Sequence, residues 1–138
     1  MTEDDLTAIV ASSFPSSDFA AERYPTDDVD RIIKFFGNTL PPLFLAMRRL
    51  LRYYAIPGDH LPANEMIHDY GFEIENNPNF TKDHVPFYAI GNGDYLCLSR
   101  SAGPNSPVLY VAHDDPIVDT IHTSFDDYLK DTDWFLHT

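Results

Sequence analysis

The densest run of chemistry-bearing side chains is His113-Asp114-Asp115, with Asp119 and His122 close behind. Imidazole nitrogens and carboxylate oxygens are good metal ligands, and three of them around one ion leave a place for an activated water, so a small metal-dependent hydrolase is one reading. The spacing matches no helical ligand pair of the His-Glu-x-x-His kind. Asp114-Asp115-Pro116 is also a good turn sequence, because a short carboxylate hydrogen-bonds its own backbone. The turn is the favoured reading, and no catalytic, cofactor-binding or metal-ligating residue is assigned. Cys97 sits between Leu96 and Leu98, where a cysteine behaves as a small core hydrophobe; a nucleophile would want a base and an electropositive setting. Ser99 and Ser124 lack an elbow motif, and Ser124 has a capping role. Gly91-x-Gly93 leads into Asp94 and a strand rather than into a helix N-terminus, so it cannot cradle phosphate in the usual way. Arg48, Arg49 and Arg52 offer a small phosphate clamp, but the expectation is a solvated helix face paired with surplus acids.

Charge sets the classes of partner. Nine basic residues oppose 22 acidic ones, for a net charge of −13. Such a surface repels phosphate backbones and anionic membranes, so direct nucleic-acid or membrane binding is not expected, whereas a basic protein partner is. The bias grows along the chain: from Tyr110 onward only Lys130 opposes Asp114, Asp115, Asp119, Asp126, Asp127, Asp131 and Asp133. A dense carboxylate face of this kind can occupy the basic site with which a nuclease binds phosphate, and long-range attraction would speed the encounter. The expected partner-binding residues are Asp114, Asp115, Asp119, Asp126, Asp127 and Asp131.

The elements that carry these residues follow from periodicity. At 138 residues, 43% of them hydrophobic, the chain has material for one core. A lone cysteine and an acidic start, where a secretory signal would be basic, lead us to expect a cytoplasmic chain. Residues 1–25 read as a lead-in with a short helix from about Asp4 to Ala11, and 26–138 as a single domain. Val29, Ile32, Ile33 and Phe36 predict an amphipathic helix ending at Gly37. Pro41-Pro42 opens a second helix running to about Tyr54, with Leu43, Met47, Leu50 and Tyr54 as its apolar stripe, widened by Phe44 and Leu51. A third is expected from Pro62 to about Glu75. After Asn76-Asn77-Pro78-Asn79 the period falls to two. Pro86–Ile90 and Asp94–Ser99 read as a hairpin around an Asn92-Gly93 type I′ turn, Pro107–His113 as a third strand and Ile117–Ile121 as a short edge strand. Ser124 then starts a helix continuing toward Trp134-Phe135. The expected fold is α+β: an antiparallel sheet of about four or more strands with N-terminal helices and a closing C-terminal helix.

Three sequence words in this order resemble the SUKH superfamily in its Smi/Knr-type branch. They are Leu40-Pro41-x-x-Phe44 after a helix ending in Gly37, Gly91-Asn92-Gly93-Asp94-Tyr95-Leu96-Cys97-Leu98, and Pro107–Asp114 followed by Ser124-Phe125-Asp126-Asp127-Tyr128-Leu129. The resemblance covers about Thr26 to Leu136. It departs where the family has an Asn-Gly-Gly-like corner and this chain has Ala55-Ile56-Pro57-Gly58. What it implies is a non-enzymatic protein-binding domain without cofactor. Bacterial members are associated with immunity against toxins, often nucleases, and fungal ones with cell-wall regulation. The expectation is therefore an immunity protein, monomeric or weakly dimeric, that neutralises a basic toxin domain. A regulatory or scaffold module without a toxin is the alternative, with the metal-dependent hydrolase behind it.

Overall fold

A computed structural model describes residues 1–131 of the chain. Helices come first: α1 (Glu3–Ser13), α2 (Ala20–Arg23), α3 (Asp28–Phe36), α4 (Pro42–Leu50) and α5 (Ala63–Asn76). Four strands follow, β1 (His84–Ala89), β2 (Tyr95–Ser99), β3 (Val108–Val111) and β4 (Val118–His122), before α6 (Phe125–Lys130). The strands pair antiparallel in chain order. This is the α+β order expected from the change of period. The expected continuation of the last helix toward Trp134 and Phe135 lies outside the described residues.

Each helix starts and stops for a local reason. Thr2 and Asp5 form a reciprocal capping box that satisfies the first amides of α1. Leu6 and Val10, one turn apart on its face, are buried in the same core as the rest of the molecule, and α1 packs on α4. Pro42 begins α4, where a missing N–H costs nothing. The helix ends at Leu50 rather than near Tyr54, because the chain turns to pair with the segment after α1. The Ser17 amide donates to the Tyr53 carbonyl at 2.9 Å and the Ala55 amide to Pro15 at 2.8 Å.

The buried stripes of α3 and α4 are not purely apolar. On α3 the stripe is Asp28, Ile32 and Phe36. On α4 it centres on Phe44, Met47 and Leu51 and includes Arg48, which is 1% exposed. The expected solvated face of Arg48, Arg49 and Arg52 is therefore corrected at Arg48. Its Nε and Nη2 donate to the two Asp28 carboxylate oxygens at 3.1 and 2.9 Å, and Asp28 Oδ1 also accepts the Ala63 amide at 2.8 Å. Two charges leave water together because each satisfies the other, and the pair ties α3, α4 and the start of α5.

Leu96, Cys97 and Leu98 in β2 are all fully buried. Since successive side chains point to opposite faces, both faces of the central strands are covered. Tyr95 Oη donates to Asp69 on α5 at 3.0 Å, while Phe87 packs its ring against Phe44 of α4 and against Phe125 and Tyr128 of α6. Pro86 is tolerated because β1 is an edge strand and carries an irregularity between Pro86 and Tyr88. The outer side of β1 is partly covered by the segment after Gly58: the Ala89 amide donates to the Asp59 carbonyl and the Leu61 amide to Phe87. Gly58 makes that approach possible at φ +102, where an added Cβ would sit 2.6 Å from the Tyr88 hydroxyl. The β1–β2 connection differs from the expected type I′ turn. Gly91 and Gly93 take positive φ but Asn92 does not. Its carboxamide oxygen instead accepts the Asp94 amide at 3.1 Å, an Asx turn that competes with the left-handed conformation.

Candidate protein-interaction face

The acidic residues singled out from the sequence fall on the β3–β4 turn, on β4, on α6 and at its C-terminal cap. The turn is anchored from behind. Asn77 and Asn79 each donate a side-chain amide to the Ala112 carbonyl at 3.0 Å, and Asn79 also donates to the Asp115 carbonyl. The Ala112 amide donates to the Ile117 carbonyl. This fixes the register of β4, since in an antiparallel ladder bonded pairs alternate with non-bonded ones. With Ala112 and Ile117 a bonded pair, the Val118 and Thr120 backbone groups face away from β3. Among the described residues no strand pairs with that outer edge of β4. Val118 and Ile117 are 44% and 38% exposed beside it.

The six carboxylates differ in what holds them. Asp115 and Asp119 are exposed, and neither carboxylate has a hydrogen bond or ion pair among the described residues. Asp114 lies 3.6 Å from His113 Nε2 and is otherwise exposed. Asp127 accepts the Thr123 hydroxyl at 2.8 Å, while its amide is capped by Ser124 Oγ at 3.1 Å, the helix start expected from the Ser-x-x-acid pattern. Asp126 is held by the Met1 amino group at 3.3 Å and by Lys130 at 3.2 Å. Asp131 lies 2.8 Å from His122 Nε2. Asp114, Asp115, Asp119 and Asp127 thus present charge outward, whereas Asp126 and Asp131 also hold the fold.

The two histidines of the metal reading are separated by the structure. His113 follows β3 and turns to Asp94, before β2; His122 ends β4 at the opposite end of the ladder and turns to Asp131. His113, Asp114 and Asp94 do come together, with ligand atoms within 4.8 Å of one another. Asp94 already spends both of its oxygens on protein donors, whereas His113 Nε2 and the Asp114 carboxylate make no hydrogen bond among the described residues. Asp94 Oδ1 accepts the His113 amide at 2.9 Å and lies 2.5 Å from His113 Nδ1, and Asp94 Oδ2 accepts the Tyr110 hydroxyl. Burial acts to raise the Asp94 pKa, but the hydrogen bonds from Tyr110 and His113 outweigh it and hold it below the ordinary carboxylate value. The Asp94 hydrogen bond in turn raises His113. The cluster is a charge-assisted network that staples the β1–β2 loop to the end of β3. Cys97 is the core residue expected, its thiol pushed well up by burial.

Over residues 25–131 the sequence matches the profile of the SMI1 / KNR4 family (SUKH-1). The chain belongs to that family. No curated protein and no solved structure matches it significantly. In this SUKH-1 chain the two later words of the resemblance are the β1–β2 hairpin and the β3-to-α6 segment, so the family pattern and the acidic face share residues. The Ala55–Gly58 departure falls on the corner that delivers Asp59–Leu61 to β1. The Asp28–Arg48 pair was not anticipated from the sequence. Its signal was present in the helical spacing: Asp28 stands four residues before Ile32, and Arg48 four after Phe44 and three before Leu51. No described helix is long and apolar enough to cross a membrane.

Proposed function

We propose that this SUKH-1 protein is a non-enzymatic immunity protein that binds a basic toxin domain and blocks it by covering its phosphate-binding site. The observation that carries this reading is the set of outward carboxylates, Asp114, Asp115, Asp119 and Asp127, together with a β4 edge that no strand covers among the described residues, in a family member of net charge −13. Opposite charge on a partner would raise the encounter rate and fix its approach, and the outer backbone of β4, which pairs with no strand among the described residues, would supply contact with Ile117 and Val118 once docked. Asp126 and Asp131 contribute field and hold the helix that displays Asp127. The protein acts in the cytoplasm, where a toxin that attacks its own producer must be met.

The test is affinity capture from the native host under conditions in which the toxin is expressed, washed at low and then at raised salt. Retention of one basic polypeptide with a toxin-like domain, released by salt, supports the reading. Capture should weaken strongly in a variant carrying Asp115→Lys, Asp119→Lys and Asp127→Lys, substitutions at exposed positions outside the core. Capture unchanged by that triple reversal at low salt would sink the acidic-face assignment. Retention of no such polypeptide would favour a regulatory module, whose open β4 edge would serve another protein.

A further inference from the structure

Between the start of α3 and α4 lies a cavity of about 300 Å³, at a site separate from the acidic face. In a chain with only nine basic residues, three of them, Arg48, Arg49 and Arg52, line it together with Asp28, Asp30 and Tyr53. The charges do not cancel. Asp28 is fully engaged by the Arg48 fork and the Ala63 amide, which leaves two outer guanidiniums against Asp30. Arg52 spends Nη1 on the Tyr24 carbonyl at 3.0 Å, and Arg49 makes no hydrogen bond or ion pair among the described residues.

Arg48 closes the inner wall of the cavity, and the two uncompensated guanidiniums outside it point to a ligand. The Arg48 side chain is wholly buried, yet Nη1 has no hydrogen-bond partner among the described residues. Nε and Nη2 occupy the edge of the guanidinium that faces Asp28, so the planar fork leaves Nη1 on the far side. A buried charged donor without a hydrogen bond calls for an explanation. Nη1 is closed to solvent, so a group in the cavity does not reach it; what compensates it is the Tyr24 ring, whose centroid lies 5.4 Å from the Arg48 guanidinium carbon. We propose that this cavity is an oxyanion site, in which a phosphate or carboxylate group is held by Arg49 and Arg52, with Arg48 at its wall. The phosphate clamp considered for these three arginines thus returns in a different form. One of them is a buried structural member of the wall, and the other two reach the ligand. The net negative charge of the chain does not forbid this, since exposed charges beyond about 8 Å are screened at physiological ionic strength.

The probes are inorganic phosphate and succinate, titrated separately into the intact protein at constant ionic strength, with chloride as the control. The readout is the set of arginine Nε–H resonances by NMR. The expected result is a saturable shift at Arg49 and Arg52 with at least one probe, beyond that caused by chloride. Arg49→Gln should weaken binding about tenfold, the loss of one charge-assisted hydrogen bond, and Arg52→Gln by a similar factor. Melting without probe establishes that each variant is folded, and Arg49→Gln has no hydrogen bond among the described residues to lose. Saturation by phosphate assigns the site to a phosphoryl group; saturation by succinate alone assigns it to a carboxylate, including an acidic side chain of a protein. A response no larger than that of chloride, or an affinity equal to the parent's in both folded variants, would overturn the proposal.

Discussion

At the scale of single residues, the Asp28–Arg48 pair carries the largest expected effect. Replacing Arg48 by Met leaves a buried carboxylate without its partner, which destabilises by about 3–5 kcal/mol; equilibrium urea unfolding of the variant beside the parent measures it. His60 is a second residue of this kind. It is buried, with Nε2 at 2.9 Å from the Pro57 carbonyl, and burial holds its pKa down to about 4 from 6.5. The folded state therefore binds the proton less readily than the unfolded one. The stability His60 contributes is fully present above pH 6.5 and is lost as pH falls from there toward 4. His113 runs the other way: raised above 6.5 by Asp94, it contributes stability that is full below 6.5 and is lost as pH rises through its folded value. A series of unfolding curves from pH 7.5 to about 4 should show the acid-side loss in the parent and a flatter profile in His60→Gln. An identical profile in the two would remove His60 from the account.

At the scale of elements, α1 and β2 make opposite claims on the sequence. α1 lies before the family match, which begins at residue 25, yet Leu6 and Val10 are wholly buried within the common core. Leu6→Ala should cost about 2–5 kcal/mol, the usual range for a buried leucine, and thermal melting decides whether α1 is part of the cooperative unit. A melting temperature equal to the parent's would show α1 to be an appendage. β2 was legible in the sequence because its apolar run is short, bounded by turns and fully covered on both faces. Cys97 sits in that run with its thiol pushed well above 9 by burial. The native protein should therefore resist a thiol-specific disulfide reagent and react only after unfolding; fast reaction of the folded protein would contradict the buried assignment.

At the scale of the whole molecule, the uneven charge is the property that reaches a partner first. Association with a basic partner should slow steeply as salt is raised, with the dissociation rate changing less, because rim charges act mainly on encounter. Reversing Asp115 and Asp119, the two of the six singled-out carboxylates with no internal partner among the described residues, should lower the association rate about tenfold at low salt. Stopped-flow or surface-based kinetics with the captured partner would read it. An effect on dissociation alone would place the contact on the β4 edge rather than in the field.

By itself the sequence determined the order of helices and strands apart from the single turn of α2, the starts of α4 and α6, the burial of Cys97 and the acidity of the last third of the chain. Each of these depends on neighbours within about one or two turns or one hairpin, where side-chain period and backbone preference act directly. Tertiary structure decided which charges are spent and which are presented. Asp28 and Arg48 are 20 residues apart in the chain and became a buried pair only when α3 met α4. His113 and His122, close in sequence, were carried to opposite ends of the β3–β4 ladder, because an extended strand moves each residue about 3.3 Å further on. Asp126 and Asp127 are adjacent, yet one faces the Met1 amino group and Lys130 while the other faces outward. A charge is visible in the sequence; its partner is a property of the packing between elements, and only the partner determines whether that charge holds the fold or meets another molecule.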